Sequence, residues 1–206
     1  TPSEFDLSPY IHPTGNRLCV EVYKRSSAAW LEDQDFWRFS GIFREVTLIA
    51  LPPVHLEDLF VTTELAEDFS AAQVRVRFRA AGEGELRAGL CTPSGGRAAT
   101  AVCKTTAEAF TLPVEAPLLW SAEQPNLYTL TLEVWRDGRL LEVVSQPVGI
   151  RRFEMKDGLM TLNGRRIVFC GVNRHEFDCR RGRAVGRAEM LWDVLTMKQN
   201  NINAVR

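Results

Sequence analysis

Three places in the sequence carry side chains whose types and spacing could do chemistry. The run Glu32-Asp33-Gln34-Asp35 puts carboxylates in quick succession, followed by the aromatic pair Phe36-Trp37. A carboxylate such as Asp35 accepts hydrogen bonds from hydroxyl groups and is a hard oxygen ligand for a hard cation. Read by itself, however, the run is a solvated acidic loop, with Trp37 filling a core. His175 stands beside Glu176, Asp178 and Cys179. Its imidazole can donate a hydrogen bond or join a metal cluster. The cluster reading is weak, because consecutive side chains on an extended strand point to opposite faces and cannot all converge. A packed, satisfied histidine stays open beside the functional one. The third place is Arg206, which closes the segment Asn203-Ala204-Val205-Arg206.

The elements that must position these residues are mostly strands. Leu18, Val20 and Val22 alternate with Cys19, Glu21 and Tyr23 after the turn signal Thr14-Gly15-Asn16, the period of a half-buried strand. A second strand fits residues 42–50, and Pro52-Pro53 stops it, because proline lacks the ladder donor and restricts its predecessor. A domain boundary is placed there. From Val54 to Ile150 short strand-like runs recur without a helical period: Val74, Val76 and Phe78 alternate with Arg75, Arg77 and Arg79. Leu130, Leu132 and Val134 repeat the pattern, and Asp137-Gly138 turns the chain into Leu140–Val144 as a hairpin partner. This size and rhythm fit an immunoglobulin-like sandwich, although no paired Cys and Trp signature accompanies it. The Trp120–Tyr128 segment, broken by Pro125, reads as a corner of that sandwich, with stacking of Trp120 on a ligand as the lesser alternative.

After Gly149 the punctuation changes. Asp157-Gly158 and Asn163-Gly164 are hairpin dipeptides bracketing Leu159–Leu162. The apolar run Ile167–Val172 suits a strand buried on both faces, as in a parallel sheet. Leu191, Val194, Leu195 and Lys198 mark a helix over 188–200, ended by Asn200-Asn201, and residues 202–206 begin another strand. Strand, helix and strand form the first unit of an α/β domain, in which His175 just follows the first strand. One such unit cannot bury both faces of its sheet, and a closed barrel takes about 250 residues, so the chain is expected to be part of a longer one.

At 206 residues, 45% of them hydrophobic and 25% charged, the chain belongs with globular proteins. Lys and Arg total 25 against 26 Asp and Glu, and no apolar run approaches the ~18 residues of a membrane span. Neither nucleic acid nor a membrane is suggested as partner. Cys19, Cys91, Cys103, Cys170 and Cys179 are odd in number and widely spaced, which reads as reduced thiols mostly packed as small apolar groups in a cytoplasmic protein.

Four segments in order, Trp30–Arg44, Leu119–Tyr128, Gly171–Glu176 and Met197–Arg206, resemble the bacterial β-galactosidases of glycoside hydrolase family 2. The resemblance implies a mainly β chain in three parts: the end of a jelly-roll sugar-binding domain over 1–52, an immunoglobulin-like β-sandwich over 53–150, and the incomplete start of a catalytic TIM barrel over 151–206. It also implies roles. Asp35 would contact the galactosyl 6-hydroxyl and help hold sodium. His175 would contact sugar hydroxyls around the transition state, and Arg206 would orient the nucleophilic carboxylate.

Retaining glycosidases place two carboxyl groups roughly 5 to 5.5 Å apart, one as acid/base and one as nucleophile. The resemblance puts both, and the ligands of a catalytic magnesium, beyond residue 206. Glu32, Glu176 and Asp178 match no catalytic position. The expectation is therefore a β-galactosidase that acts with retention, needs magnesium and sodium, and forms homo-oligomers, with these residues supplying part of the sugar subsite but inactive alone. A β-glucuronidase or β-mannosidase of the same architecture and a non-catalytic carbohydrate-binding module remain as alternatives.

Overall fold

Val74, Val76 and Phe78 are buried and Arg75, Arg77 and Arg79 are exposed, so the period-two pattern does make a strand with one wet face. It is the second strand of the computed structural model, which describes residues 3–31 and 39–206. The sandwich is built from β1 (His55–Leu65), β2 (Ala71–Ala81), β3 (Glu85–Cys91), β4 (Arg97–Lys104), β5 (Ala109–Glu115), β6 (Tyr128–Arg136) and β7 (Arg139–Val148). They form a sheet of order β1-β2-β5 and a sheet of order β4-β3-β6-β7, antiparallel at every pairing. The immunoglobulin-like expectation is met.

Leu86, Leu90, Leu130, Leu132 and Val134 from one sheet and Val74, Val76 and Leu112 from the other are fully buried in a single cluster. Each such side chain contributes about 1.5–3 kcal/mol relative to an exposed position. The two strand prolines, Pro113 on β5 and Pro147 on β7, lie on edge strands, where a missing N–H interrupts no second ladder.

The hairpin dipeptides behave as read. Asp137, Asp157 and Asn163 all have φ of 50°, and the glycines after them φ of 74–76°, the paired left-handed residues of a two-residue turn whose twist suits the flanking strands. The first joins β6 to β7. The other two link β8 (Phe153–Lys156), β9 (Leu159–Leu162) and β10 (Arg165–Arg166) into a small sheet of order β10-β9-β8.

The Trp120–Pro125 turn is indeed a corner. Trp120 bridges Pro125, Ser121 N–H donates to the Gln124 carbonyl at 2.9 Å, and the Asn126 amide donates to Leu119 at 2.9 Å. The Arg151 guanidinium lies 4.5 Å from the Trp120 ring centre, and a Cβ on Gly149 would stand 3.1 Å from that ring. Trp120 is thus engaged by its own domain.

Several expectations are corrected. Among the described residues no strand forms over 18–23 or 42–50, where Leu18, Val20, Val46 and Leu48 are exposed. A strand needs a partner for its backbone groups and a surface for its apolar face, and the described part of residues 3–52 provides neither. The Ile167–Val172 run forms a ladder only at β11 (Gly171–Val172), parallel to β12 (Ala204–Val205). Val168 and Phe169 are exposed, because a strand buried on both faces requires neighbours and covering helices that a lone two-residue pair lacks. Cys19, Cys170 and Cys179 are exposed rather than packed; all five thiols are free, and burial raises the pKa of Cys103.

The chain divides into two units. One is Leu48–Val172 with Asn201–Val205, which contains every strand just described, and the other is Thr1–Thr47 with Asn173–Asn200 and Arg206. In the second unit, short 3-10 turns occupy Ser8–Tyr10 and Ser27–Trp30, and α1 runs over Arg187–Gln199. The Glu189 carboxylate accepts the Gly186 N–H at 3.0 Å, satisfying an orphan donor at the helix start. Asn200 and the left-handed Asn201 (φ 56°) end it, as the sequence indicates. The stripe of Leu191, Val194 and Leu195 forms on this helix but stays half exposed.

Candidate functional site

His175 follows the parallel strand β11 by three residues, and Arg206 follows β12 directly. Parallel strands end on the same side, so the sequence order itself brings the two segments together. The backbone records it: Arg174 N–H donates to the Arg206 carbonyl at 2.9 Å. Both His175 and Arg206 are exposed. Asp35, with Glu32, Phe36 and Trp37, lies outside the described residues, so its placement relative to His175 and Arg206 is not part of this geometry.

The neighbours of His175 are committed to internal pairing. Arg174 sends Nε and Nη2 to Oδ2 of Asp193 on α1, at 2.7 and 2.6 Å, and its Nη1 lies 4.0 Å from Glu176. Glu176 also accepts from Arg44, whose Nη1 donates to the Arg183 carbonyl at 2.7 Å. Guanidinium groups of Arg44 and Arg183 approach the Phe43 ring at 5.2 and 4.6 Å. Asp178 closes a tight loop: its Oδ1 accepts the N–H groups of Arg180 and Arg181, both at 2.9 Å, and its backbone exchanges two bonds with Gly182. Phe39 stacks on Phe177 at 5.9 Å. Glu176 and Asp178 are thus both engaged by neighbouring groups.

No three His, Cys, Asp or Glu side chains among the described residues converge as a metal site. Among those residues, too, no helix is long and apolar enough to cross a membrane. Sequence reasoning missed Asp193 and the anchoring use of Arg44. Asp193 sits one helical turn or less from the apolar stripe residues with no motif to single it out, and only the pairing with Arg174 gives it meaning.

An antiparallel sandwich is followed by a parallel strand pair with an intervening helix, an all-β module joined to the first unit of an α/β domain. Three family models match the chain in order: the sugar binding domain of glycosyl hydrolases family 2 over residues 1–52, glycosyl hydrolases family 2 over 54–151, and its TIM barrel domain over 153–206. The chain belongs to glycosyl hydrolases family 2. It is 50% identical over 211 residues to a β-galactosidase of Clostridium acetobutylicum and 49% identical over 213 residues to one of Halalkalibacterium halodurans, in both cases across 100% of this chain. It spans 24% and 21% of the length of those relatives. Among solved structures, a β-glucuronidase of Parabacteroides merdae matches 85% of this chain and 23% of its own at TM-score 0.76 and 22% identity, a likeness of fold.

Proposed function

We propose that the protein to which these residues belong is a retaining β-galactosidase and that this stretch supplies part of its galactose subsite together with the sandwich that carries it. The observation behind this reading is the 50% identity, sustained over the whole chain, to a β-galactosidase. In this proposal His175 donates to sugar hydroxyls, Arg206 braces the nucleophilic carboxylate by charge-assisted hydrogen bonds, and Asp35 accepts the galactosyl 6-hydroxyl. The position of His175 and Arg206 just past parallel strand ends supports their roles, since barrel enzymes build their sites there. The acid/base and nucleophile, roughly 5 to 5.5 Å apart in a retaining enzyme, come from the rest of the protein.

Asp35 has the oxygen chemistry that sodium takes, which would neutralise the carboxylate and orient a hydroxyl beside it. Magnesium has no ligand set among the described residues, so its place in the proposal concerns the whole protein. A cytoplasmic homo-oligomer completes the reading.

The test is hydrolysis of aryl β-galactoside by the full-length protein with magnesium and sodium present, against aryl β-glucuronide, with the 206-residue chain assayed alongside. Turnover of the galactoside by the full-length protein, and none by the 206-residue chain, is expected. Preference for the glucuronide, or no turnover by the full-length protein, would overturn the substrate or the enzymatic reading respectively.

A further inference from the structure

His175 lies beyond the β11–β12 ladder. Past β11 this segment lies outside any helix or strand; Arg174 N–H donates to the Arg206 carbonyl, and Phe177 N–H to the His175 carbonyl, both at 2.9 Å. A side chain that contacts a transition state must be held to about half an ångström, which calls for bonded support from the residues around it. On one side of His175, Arg174 places two N–H groups on a single oxygen of Asp193, at 2.7 and 2.6 Å, tying the segment to α1. On the other side, Glu176 is tied to Arg44. Arg174 Nη1 also lies 4.0 Å from Glu176, so the two residues flanking His175 approach each other.

We infer that Arg174 and Asp193 form one clamp, and Glu176 and Arg44 a second, that together aim His175, making these four positioning residues for the glycosidase reaction. The inference rests on the role given to His175 under the proposed function. The Arg174 clamp is specific to a guanidinium, because a lysine ammonium cannot send two fixed parallel donors to one carboxylate. Charge-assisted bonds of this kind, partly shielded from water, restrict the segment without touching sugar.

The experiment is a double-mutant cycle in the full-length protein with an aryl β-galactoside, comparing wild type, Asp193→Asn, His175→Phe and the double variant, each checked for its thermal midpoint. Asp193→Asn is expected to lower kcat by about 10- to 100-fold with little change in KM. Added to His175→Phe, it is expected to cost less than about twofold, since the residue it aims is gone. A merely structural Asp193 would lower activity by the same factor in both backgrounds, and that result overturns the inference, as does wild-type kcat in Asp193→Asn. If Asp193→Asn fails to fold, Glu176→Gln takes its place in the same cycle with the same two outcomes. Wild-type activity in His175→Phe would remove the residue being aimed and overturn the inference while leaving the galactosidase reading intact. An inactive full-length protein would instead sink that reading and this inference with it.

Discussion

The phenolic oxygen of Tyr128 accepts the backbone N–H of Leu118 at 2.9 Å, spanning ten residues that include the whole Trp120–Pro125 corner. Tyr128 opens β6 and is 2% exposed, so its ring packs in the core while its hydroxyl satisfies a backbone donor outside any ladder. This is the corner device of immunoglobulin-like sandwiches. Tyr128→Phe keeps the ring and strands the Leu118 donor. It should destabilise the sandwich by about 1–1.5 kcal/mol in urea unfolding followed by fluorescence. An unchanged midpoint would mean that water replaces the hydroxyl without cost.

Two glycines of one neighbourhood should respond in opposite directions. A Cβ on Gly84 would stand 2.6 Å from the Trp135 carbonyl oxygen and 3.2 Å from a methyl of Val54, and backbone cannot move aside as a flexible side chain can. Gly84 also exchanges bonds with the buried Thr105, its N–H donating to Oγ1 at 2.8 Å and its carbonyl accepting the Thr105 N–H at 2.9 Å. Gly84→Ala should cost about 1–3 kcal/mol. A Cβ on Gly89, in the middle of β3, meets nothing within 4 Å. Gly89→Ala should be neutral or stabilise by about 0.4–1 kcal/mol, chiefly by restricting the unfolded chain. Equal effects at both positions, measured by the same unfolding assay, would contradict this contact geometry.

The difference between what the sequence disclosed and what it did not follows partner availability. The sandwich was legible because each strand finds its partner within about a hundred residues, so alternation at Val74–Phe78 and Leu130–Val134 is converted directly into burial. The three hairpin turns were legible because their chemistry is local to two residues. Residues 18–23 and 42–50 carry the same alternation, yet periodicity states only which face a strand would bury, not whether a partner is present. His175 was legible as a position just after a strand, whereas Arg206 was read within the last strand, which ends at Val205. The Arg174–Asp193 clamp was not legible, because an ion pair 19 residues apart leaves no local signature.

A local pH response is built into the β1–β2 connection. Oδ1 of Asp68 accepts the Ser70 hydroxyl at 2.7 Å and the Ser70 N–H at 3.1 Å, and these bonds, the hydroxyl foremost, lower its pKa. A depressed carboxylate adds stability that is present above its unfolded value, about 3.9, and is lost as pH falls through the folded one. Ser70→Ala removes the hydroxyl donor and leaves the backbone one. The Asp68 midpoint, followed by carbon NMR of its carboxyl, should rise toward the ordinary value without reaching it. The same midpoint in both proteins would show that the hydroxyl is not the main cause.

Local stability should follow burial along the chain. The amides of β6 sit between β3 and β7, with Leu130, Leu132 and Val134 fully buried beneath them, so they open only when the sandwich unfolds. Helix α1 has no buried residue, and its Trp192, Val194 and Leu195 are each more than half exposed. A 13-residue helix is marginal on propensity alone and draws most of its stability from packing an apolar face. In hydrogen exchange of the 206-residue chain, α1 amides should therefore exchange at least about 100-fold faster than those of β6. In the full-length protein, where the proposed barrel would cover the Leu191–Leu195 stripe, the gap should narrow sharply. Protection of α1 equal to that of β6 in the 206-residue chain would mean that the stripe already has a covering surface in solution, such as a second copy, and a dependence of that protection on protein concentration would identify it.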